Sequence, residues 1–591
     1  MSYRAPVADI ALALRAAGGL DQAIASGLYG DLAASDVDAI LEEAAKMADE
    51  VLAPLNRVGD QVGAKYVDGG VVTAPGWKEA YKAWTEAGWN ALTGPVEYGG
   101  QGLPILLGCA VAEMWQSANM AFGLAPLLTA GAIEALAAHG SDKLRNAYLA
   151  KLISGEWTGT MNLTEPQAGS DLALLRSRAE RADDGSYRIT GQKIFITYGD
   201  HDMTENICHL VLARLPDAPP GVKGISLFLA PKFLPDAQGN FTVANDLRAS
   251  AIEHKLGIHG SPTCTMIFGD KGGATGFLIG EENRGLACMF TMMNNARLSV
   301  GLQGVAIAER ATQQALAFAH ERKQGRAPTA ANSGASPIIE HPDVQRMLLT
   351  MRASTRAARA ICFMTAAALD RAHLATDADE RRKAAERAAL LTPIAKGWST
   401  DIGVEMASLG VQTHGGMGFV EETGAAQHYR DARIAPIYEG TNGIQAIDLV
   451  TRKLPLSGGD AVKAVIAEIK RTAEDVTRRN APEFGRMGER LKEAAGALER
   501  ATQHLLSKLG GDAGDALAGA APYQRMFGLT LGATGLAREA LLSSSGDAAG
   551  QGRIATARFF AQNLLPVVNG LETDVVEGGG FIADAAVALA G

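Results

Sequence analysis

The chain has 591 residues, 47% of them hydrophobic and 20% charged, with a formal net charge of −10. This length exceeds one ordinary core and predicts several packed units, and the apolar content excludes a disordered chain. The acidic balance, with basic residues scattered apart from short clusters such as Arg381-Arg382-Lys383 and Arg478-Arg479, argues against a nucleic-acid partner.

Residues 1–155 are rich in alanine, leucine and glutamate, with apolar residues at helical spacing, and predict an N-terminal helical domain. Its punctuation, Pro95-Val96-Glu97-Tyr98-Gly99-Gly100-Gln101-Gly102-Leu103-Pro104, lacks the Gly-Lys-Ser/Thr of a P-loop and reads first as a loop near a pocket. Over 156–280 the pattern changes to short β-prone runs such as Lys193-Ile194-Phe195-Ile196-Thr197 and His209-Leu210-Val211-Leu212-Ala213-Arg214. A central β domain is expected there, as a small antiparallel sheet or barrel. Residues 281–454 return to helical spacing, with one long helix from about Cys288 to Lys323, a Gly/Ser/Pro/Asn loop from Gly325 to Pro337 and further helices from Pro342. Pro455, Ser457, Gly458 and Gly459 mark a boundary, and 455–591 form an additional helical domain suited to packing or assembly.

The five cysteines, Cys109, Cys208, Cys264, Cys288 and Cys362, are dispersed without a C-x-x-C pair, so buried thiols are expected and no metal site is. No apolar run approaches the roughly 20 residues that span a bilayer. The start Met1-Ser2-Tyr3-Arg4-Ala5-Pro6 carries no export signal, and the expected address is cytoplasmic.

Three stretches carry candidate chemistry. In Tyr438-Glu439-Gly440-Thr441-Asn442-Gly443-Ile444-Gln445 a carboxylate is followed at once by glycine, as where a helix gives way to a loop. The stretch Met161-Asn162-Leu163-Thr164-Glu165-Pro166-Gln167-Ala168-Gly169-Ser170-Asp171 offers hydroxyls and backbone N–H groups in a loop. In Lys193–Thr197, alternation puts Phe195 and Thr197 on one strand face. Each also has an ordinary explanation: a helix-terminal glutamate, a Ser/Thr turn or a half-buried strand.

In combination they resemble the acyl-CoA dehydrogenase family. The series runs Leu163-Thr164-Glu165-Pro166 with Gly169-Ser170-Asp171, then Gly191-Gln192-Lys193-Ile194-Phe195-Ile196-Thr197 and Lys255-Leu256-Gly257-Ile258. Arg322-Lys323-Gln324-Gly325, Gln412-Thr413-His414-Gly415-Gly416-Met417-Gly418-Phe419 and Tyr438-Glu439-Gly440-Thr441 complete it, over residues 35–452. The resemblance implies a mainly α fold with a central β domain: an N-terminal helical domain, a β-barrel and a four-helix bundle. It also implies FAD, held by Met161, Leu163, Thr164, Gly169, Ser170, Phe195, Ile196, Thr197, Gln324 and Thr441, while Arg322, Gln412 and Gly416 serve the FAD of a neighbouring subunit. Substrate contacts fall on Ser170, Arg297, Tyr438 and Gly440.

A carboxylate in water is too weak a base for the α-proton of a thioester. The site must therefore acidify the carbon by hydrogen-bonding its carbonyl and raise the base's pKa by desolvation. The resemblance assigns the base to Glu439, whose backbone N–H helps hold the carbonyl, with hydride passing to flavin N5 and electrons on to electron-transfer flavoprotein. Some relatives place the base before the residue matched by Arg297; here that residue is Ala296. Phe195 stands where tryptophan is common, which puts the packing over the flavin in question. The extra domain resembles a long bacterial branch that includes 3-methylmercaptopropionyl-CoA dehydrogenase and fatty acyl-CoA dehydrogenases, and implies a homodimer. An acyl-CoA oxidase and a DNA-binding relative are the alternatives.

Overall fold

A computed structural model describes residues 3–328, 334–511 and 513–590. Residues 329–333 of the loop expected between Gly325 and Pro337 lie outside the described residues.

Helices Ile105–Ala118 (α1) and Met120–His139 (α2) build the centre of the first region. The Asn119 side chain starts α2 by accepting from the Phe122 N–H at 3.1 Å. By length and composition α2 could cross a membrane, which counting uninterrupted apolar runs overlooks because Thr129 and Glu134 break the run. Most of α2 is buried inside the protein instead.

The middle region is a sheet of eight strands: Thr158–Asn162 (β1), Arg178–Arg181 (β2), Tyr187–Thr197 (β3), Ile207–Arg214 (β4), Ile225–Pro231 (β5), Leu247–Ile252 (β6), Thr263–Phe268 (β7) and Ala274–Ile279 (β8). Their order is β6-β7-β3-β8-β5-β4-β1, with β2 pairing both β3 and β4. The expected antiparallel pattern needs one correction: β1 runs parallel to β4 over Thr158–Asn162, and β2 meets β4 in parallel at Arg178 and Arg214. Period-two alternation sends Cys208, Leu210 and Leu212 of β4 to a core shared with Ala132 and Leu136 of α2. Val211 and Ala213 go to a second core with Phe228 and Met266. Both faces are covered, so β4 and β5 are almost wholly buried.

Three long helices follow: Gly285–Glu321 (α3), Pro342–Leu374 (α4) and Ala378–His414 (α5). They cross closely enough that a Cβ on Gly304 of α3 would stand 2.1 Å from the Ser399 carbonyl oxygen of α5. Helix Ala425–Ala432 (α6) and helix Asn442–Asp448 (α7) bracket the turn that carries Glu439. Left-handed Ser457, Gly458 and Gly459 then stop the chain from continuing as helix.

The last unit centres on Asp460–Arg479 (α8), Met487–Lys508 (α9) and Ala520–Leu542 (α10). Helix α10 lies against α5, where Trp398 packs over Gly528 and Gly532. The Gln524 amide donates to the Pro393 carbonyl at 2.9 Å, and Arg356 pairs with Glu539 at 2.5 Å. All five cysteines are buried and free.

Candidate active site

Glu439 occupies a turn between α6 and α7 with φ +56°, and Gly440 follows at φ +85°. A non-glycine residue in that region is strained, and such strain persists only where surroundings hold it. Gly440 is required twice over, because a Cβ there would meet the Gln445 amide at 2.7 Å. Thr441 starts α7, its hydroxyl accepting from the Ile444 N–H at 3.4 Å. Gln445 reaches back to donate to the Glu439 carbonyl at 3.1 Å.

The brace of this turn is a residue that motif reading misses. Lys396 of α5 is fully buried, and its ammonium donates to the Gly440 carbonyl at 2.7 Å and to Asn442 Oδ1 at 2.8 Å. The Asn442 amide in turn donates to Gly397 O, Thr400 Oγ1 and Asp401 Oδ1 at 2.7–2.9 Å. Burial pushes Lys396 down to about 7, with Glu439 and Asp401 opposing. Its only sequence signal is a cation inside the otherwise core-facing run Ile394-Ala395-Lys396-Gly397-Trp398.

Burial also raises the Glu439 carboxyl above its ordinary value, with Arg297 and then Lys396 opposing. Among the described residues none donates to that carboxylate, and the Glu439 N–H has no acceptor. Arg297 is buried, with Nη1 3.7 Å from Asp448 Oδ2 and with Nε unpartnered among the described residues. The Tyr438 hydroxyl donates to Gln303 Oε1 of α3.

The loop after β1 is held by a buried ion pair. Lys193 Nζ lies 2.8 Å from Glu165 Oε1, which also accepts from the Ser177 N–H and hydroxyl, while Oε2 accepts from the Arg176 N–H. Although burial opposes it, Lys193 leads these donors in pulling the Glu165 carboxyl down to about 2. The Ile194 N–H donates to the Thr164 carbonyl at 2.9 Å, and the Thr160 hydroxyl to the Thr197 carbonyl at 2.7 Å. Thus Met161, Leu163, Thr164, Phe195, Ile196 and Thr197 converge.

Strict alternation within β3 fails. The register against β7 slips between Lys193 and Ile196, Phe195 takes φ +61°, and its ring is 59% exposed while Lys193 is buried. A shared face for Phe195 and Thr197 therefore does not follow from spacing. Gly169 and Ser170 are exposed on the loop. Adjacent residues of α3 link the two halves: Ala296 shares a core with Met161 and Leu163, and Arg297 faces Asp448 and Glu439.

Arg322, Gln324, Gln412 and Gly416 gather elsewhere. Phe318 stacks on His414 with centroids 4.5 Å apart, bringing the ends of α3 and α5 together, and all four residues are exposed. Arg322 stands 25 residues beyond Arg297, roughly 37 Å of helix rise, so this group is remote from Glu439.

A cavity of about 630 Å³ lies between α1, α2, α3 and the loop Pro95 to Pro104, in keeping with the loop's expected place near a pocket. Glu439 does not line it. The cavity approaches the turn through Gln116, Ala296, Ser299 and Leu302, beside the Tyr438–Gln303 contact. A second raised carboxyl, Glu134, does line it.

A β layer joined to helical bodies carries the open hydroxyls of Thr164, Ser170 and Thr197, and an unpaired carboxylate raised by burial stands on a turn of the helical part. The chain belongs to the acyl-CoA dehydrogenase family, whose N-terminal, middle and C-terminal domain models match residues 35–156, 160–271 and 283–454. An acetyl-CoA dehydrogenase C-terminal-like model matches 465–585. The chain is 48% identical to 3-methylmercaptopropionyl-CoA dehydrogenase of Ruegeria pomeroyi over 96% of each chain. It is 31% identical to the broad-specificity linear acyl-CoA dehydrogenase FadE5 of Mycobacterium tuberculosis, over 97% of this chain and 98% of that one. In fold it is similar to an acyl-CoA dehydrogenase from Bacillus anthracis complexed with FAD, at TM-score 0.73 and 21% identity, covering 93% of this chain and 89% of that one.

Proposed function

We propose that the chain carries out FAD-dependent α,β-dehydrogenation of an acyl-CoA thioester to the trans-2-enoyl-CoA, with Glu439 taking the α-proton. The observation that carries this reading is the Glu439 turn. Its carboxylate is made more basic by burial, yet two nearby cations keep the charged form accessible. Both cations have other oxygen partners, so no ion pair blocks the carboxylate. The free Glu439 N–H is suited to hold the thioester carbonyl, and Lys396 and Gln445 fix the peptides on either side of it.

The chain's residues fit FAD. The hydroxyls of Thr164, Ser170 and Thr197 have no hydrogen-bond partner among the described residues, and Phe195 presents an exposed ring. A Cβ at Gly169 would find only Thr164 Cγ2, at 4.0 Å, leaving room for a close approach. FAD, when bound, supplies the hydride acceptor for the β-hydrogen that leaves with the α-proton. We assign Arg322, Gln324, Gln412 and Gly416 to the FAD of a second copy, because Arg322 lies roughly 37 Å along α3 from Arg297 and the Phe318–His414 stack brings the end of α5 to that same end of α3. The working enzyme is then a homodimer of four-unit chains, cytoplasmic, with electron-transfer flavoprotein taking the electrons. Candidate substrates are 3-methylmercaptopropionyl-CoA, supported by the Ruegeria relative, and fatty acyl-CoA.

The test is anaerobic bleaching of the flavin by a panel of acyl-CoAs. The wild type is expected to bleach with at least one, and Glu439→Gln to keep FAD but scarcely bleach. Equal bleaching by the variant would overturn the base assignment; oxygen consumption during turnover would make the protein an oxidase.

A further inference from the structure

Proton and hydride leave neighbouring carbons of the substrate for two different parts of the chain, the Glu439 turn and the sheet beside Phe195 and Thr197, so these two parts must be held in register. Among the described residues, every hydrogen bond from the segment 425–448 to the middle region runs through Arg430 or Asp431 of α6. Asp431 is buried; its Oδ1 accepts from the Ile258 N–H at 2.5 Å and its Oδ2 from the Gln427 amide at 3.2 Å. Arg430 donates to both carboxylate oxygens of Asp60, in helix Leu55–Val62, at 2.7 Å each, and to the Leu256 carbonyl at 3.3 Å. His259 ties the same loop to that helix, with Nδ1 3.0 Å from the Asp60 carbonyl oxygen.

This knot is built against resistance. Ile258 takes φ +49°, a left-handed conformation that a β-branched residue adopts only when its surroundings impose it. A Cβ on Gly257 would stand 2.6 Å from the Arg430 carbonyl oxygen, so glycine is what lets the loop come this close to α6. From Ile258 the loop runs on to Pro262, whose carbonyl accepts from the Tyr198 N–H at 2.8 Å, and β7 then pairs Thr263 with Thr197 and Cys264 with Ile196. From Asp431 the chain reaches Glu439 through closed turns. The Ala435 N–H donates to Ala432 O, the Tyr438 N–H to Ile434 O, and the Asn442 N–H to Pro436 O across the base itself. Both arms are short and hydrogen-bonded, so a shift at Asp431 passes to Glu439 on one side and to Thr197 and Ile196 on the other.

Resting on the acyl-CoA reading above, we propose that Asp431 is a positioning residue for the dehydrogenation. Through the Ile258 N–H it sets the separation between the Glu439 turn and strand β3. The Glu439 N–H carries the thioester carbonyl, so the substrate moves with the turn when that bond is lost. The gap then opens between the β-carbon and the hydride acceptor, and proton abstraction suffers less.

The experiment measures two rates on the FAD-loaded enzyme. Anaerobic bleaching at saturating acyl-CoA reads proton and hydride loss together. Exchange of α-protons into D2O from a 3-thiaacyl-CoA, whose β position is sulfur and has no hydrogen to give, reads the base alone. Asp431→Ala is expected to slow bleaching roughly 10- to 100-fold with FAD content and KM little changed, and to slow exchange much less. Asp431→Asn, which keeps an oxygen to accept from Ile258, should bleach near the wild-type rate. Gly257→Ala leaves the carboxylate in place but forces the loop away from α6, and should show the same split; it carries the test if Asp431→Ala does not fold. Unchanged bleaching in either alanine variant, exchange falling in step with bleaching, or Asp431→Asn as slow as Asp431→Ala overturns the positioning role alone. Failure of the wild type to bleach with any acyl-CoA overturns the acyl-CoA reading itself.

Discussion

Two buried lysines lie near glutamates in this chain, and they do opposite things. Lys193 points its ammonium at Glu165, 2.8 Å away, and the carboxyl is driven down to about 2. Lys396 points its ammonium at a backbone carbonyl and an asparagine oxygen, and the neighbouring Glu439 carboxyl stays raised. Composition is the same in both places; direction differs. A lysine aimed at the carboxylate ties a loop, whereas one aimed at the backbone beside it leaves a strong base in place.

The contrast breaks first at Glu439. Glu439→Gln should lower the rate of anaerobic flavin bleaching by roughly 10²–10⁴-fold, with thermal stability nearly unchanged. The Glu165 pair should show the reverse emphasis. Lys193→Met strips a buried carboxylate of its cation and is expected to cost about 3–5 kcal/mol of unfolding free energy, read by denaturant titration. The same pair sets an acid dependence. Because the folded carboxyl titrates at about 2, below an ordinary glutamate near ~4.3, its contribution is complete above the ordinary value. It is lost as pH falls through the folded value, and Glu165→Gln should flatten that part of the stability profile.

Lys396→Met sharpens the comparison. Loss of the brace should lower kcat about 10- to 100-fold by misplacing the base. Removing a neighbouring cation also raises the Glu439 pKa further, so the acid limb of the kcat–pH profile should move to higher pH. An unmoved limb would show that Lys396 does not sense the carboxylate. Smallest is Phe195→Ala: an exposed ring contributes little to folding, and its removal should weaken FAD by about 1 kcal/mol, measured by flavin titration of the apoprotein.

What can be read from the residues follows the range of the forces involved. The Glu439-Gly440-Thr441 turn is legible because a left-handed glycine and an N-capping threonine act locally. The order of helical, β and helical regions is legible from periodicity. The outward turn of Phe195 is hidden, because the slip that causes it depends on pairing with Cys264 and Met266 in a strand much later in the chain. Lys396 is hidden for a like reason, its acceptors lying 44 and 46 residues away. The parallel contact of β1 with β4 and the meeting of Glu134 with Asn295 also arise only on folding.

Trp398 stands two residues beyond Lys396, wedged against Gly528 of the last unit; an added methyl at 528 would come within 2.3 Å of the indole. A missense change such as Gly528→Ala would therefore press on the helix that carries Lys396, although it lies in a stretch with no chemistry of its own. Genotype in that unit should be scored by turnover as well as by abundance.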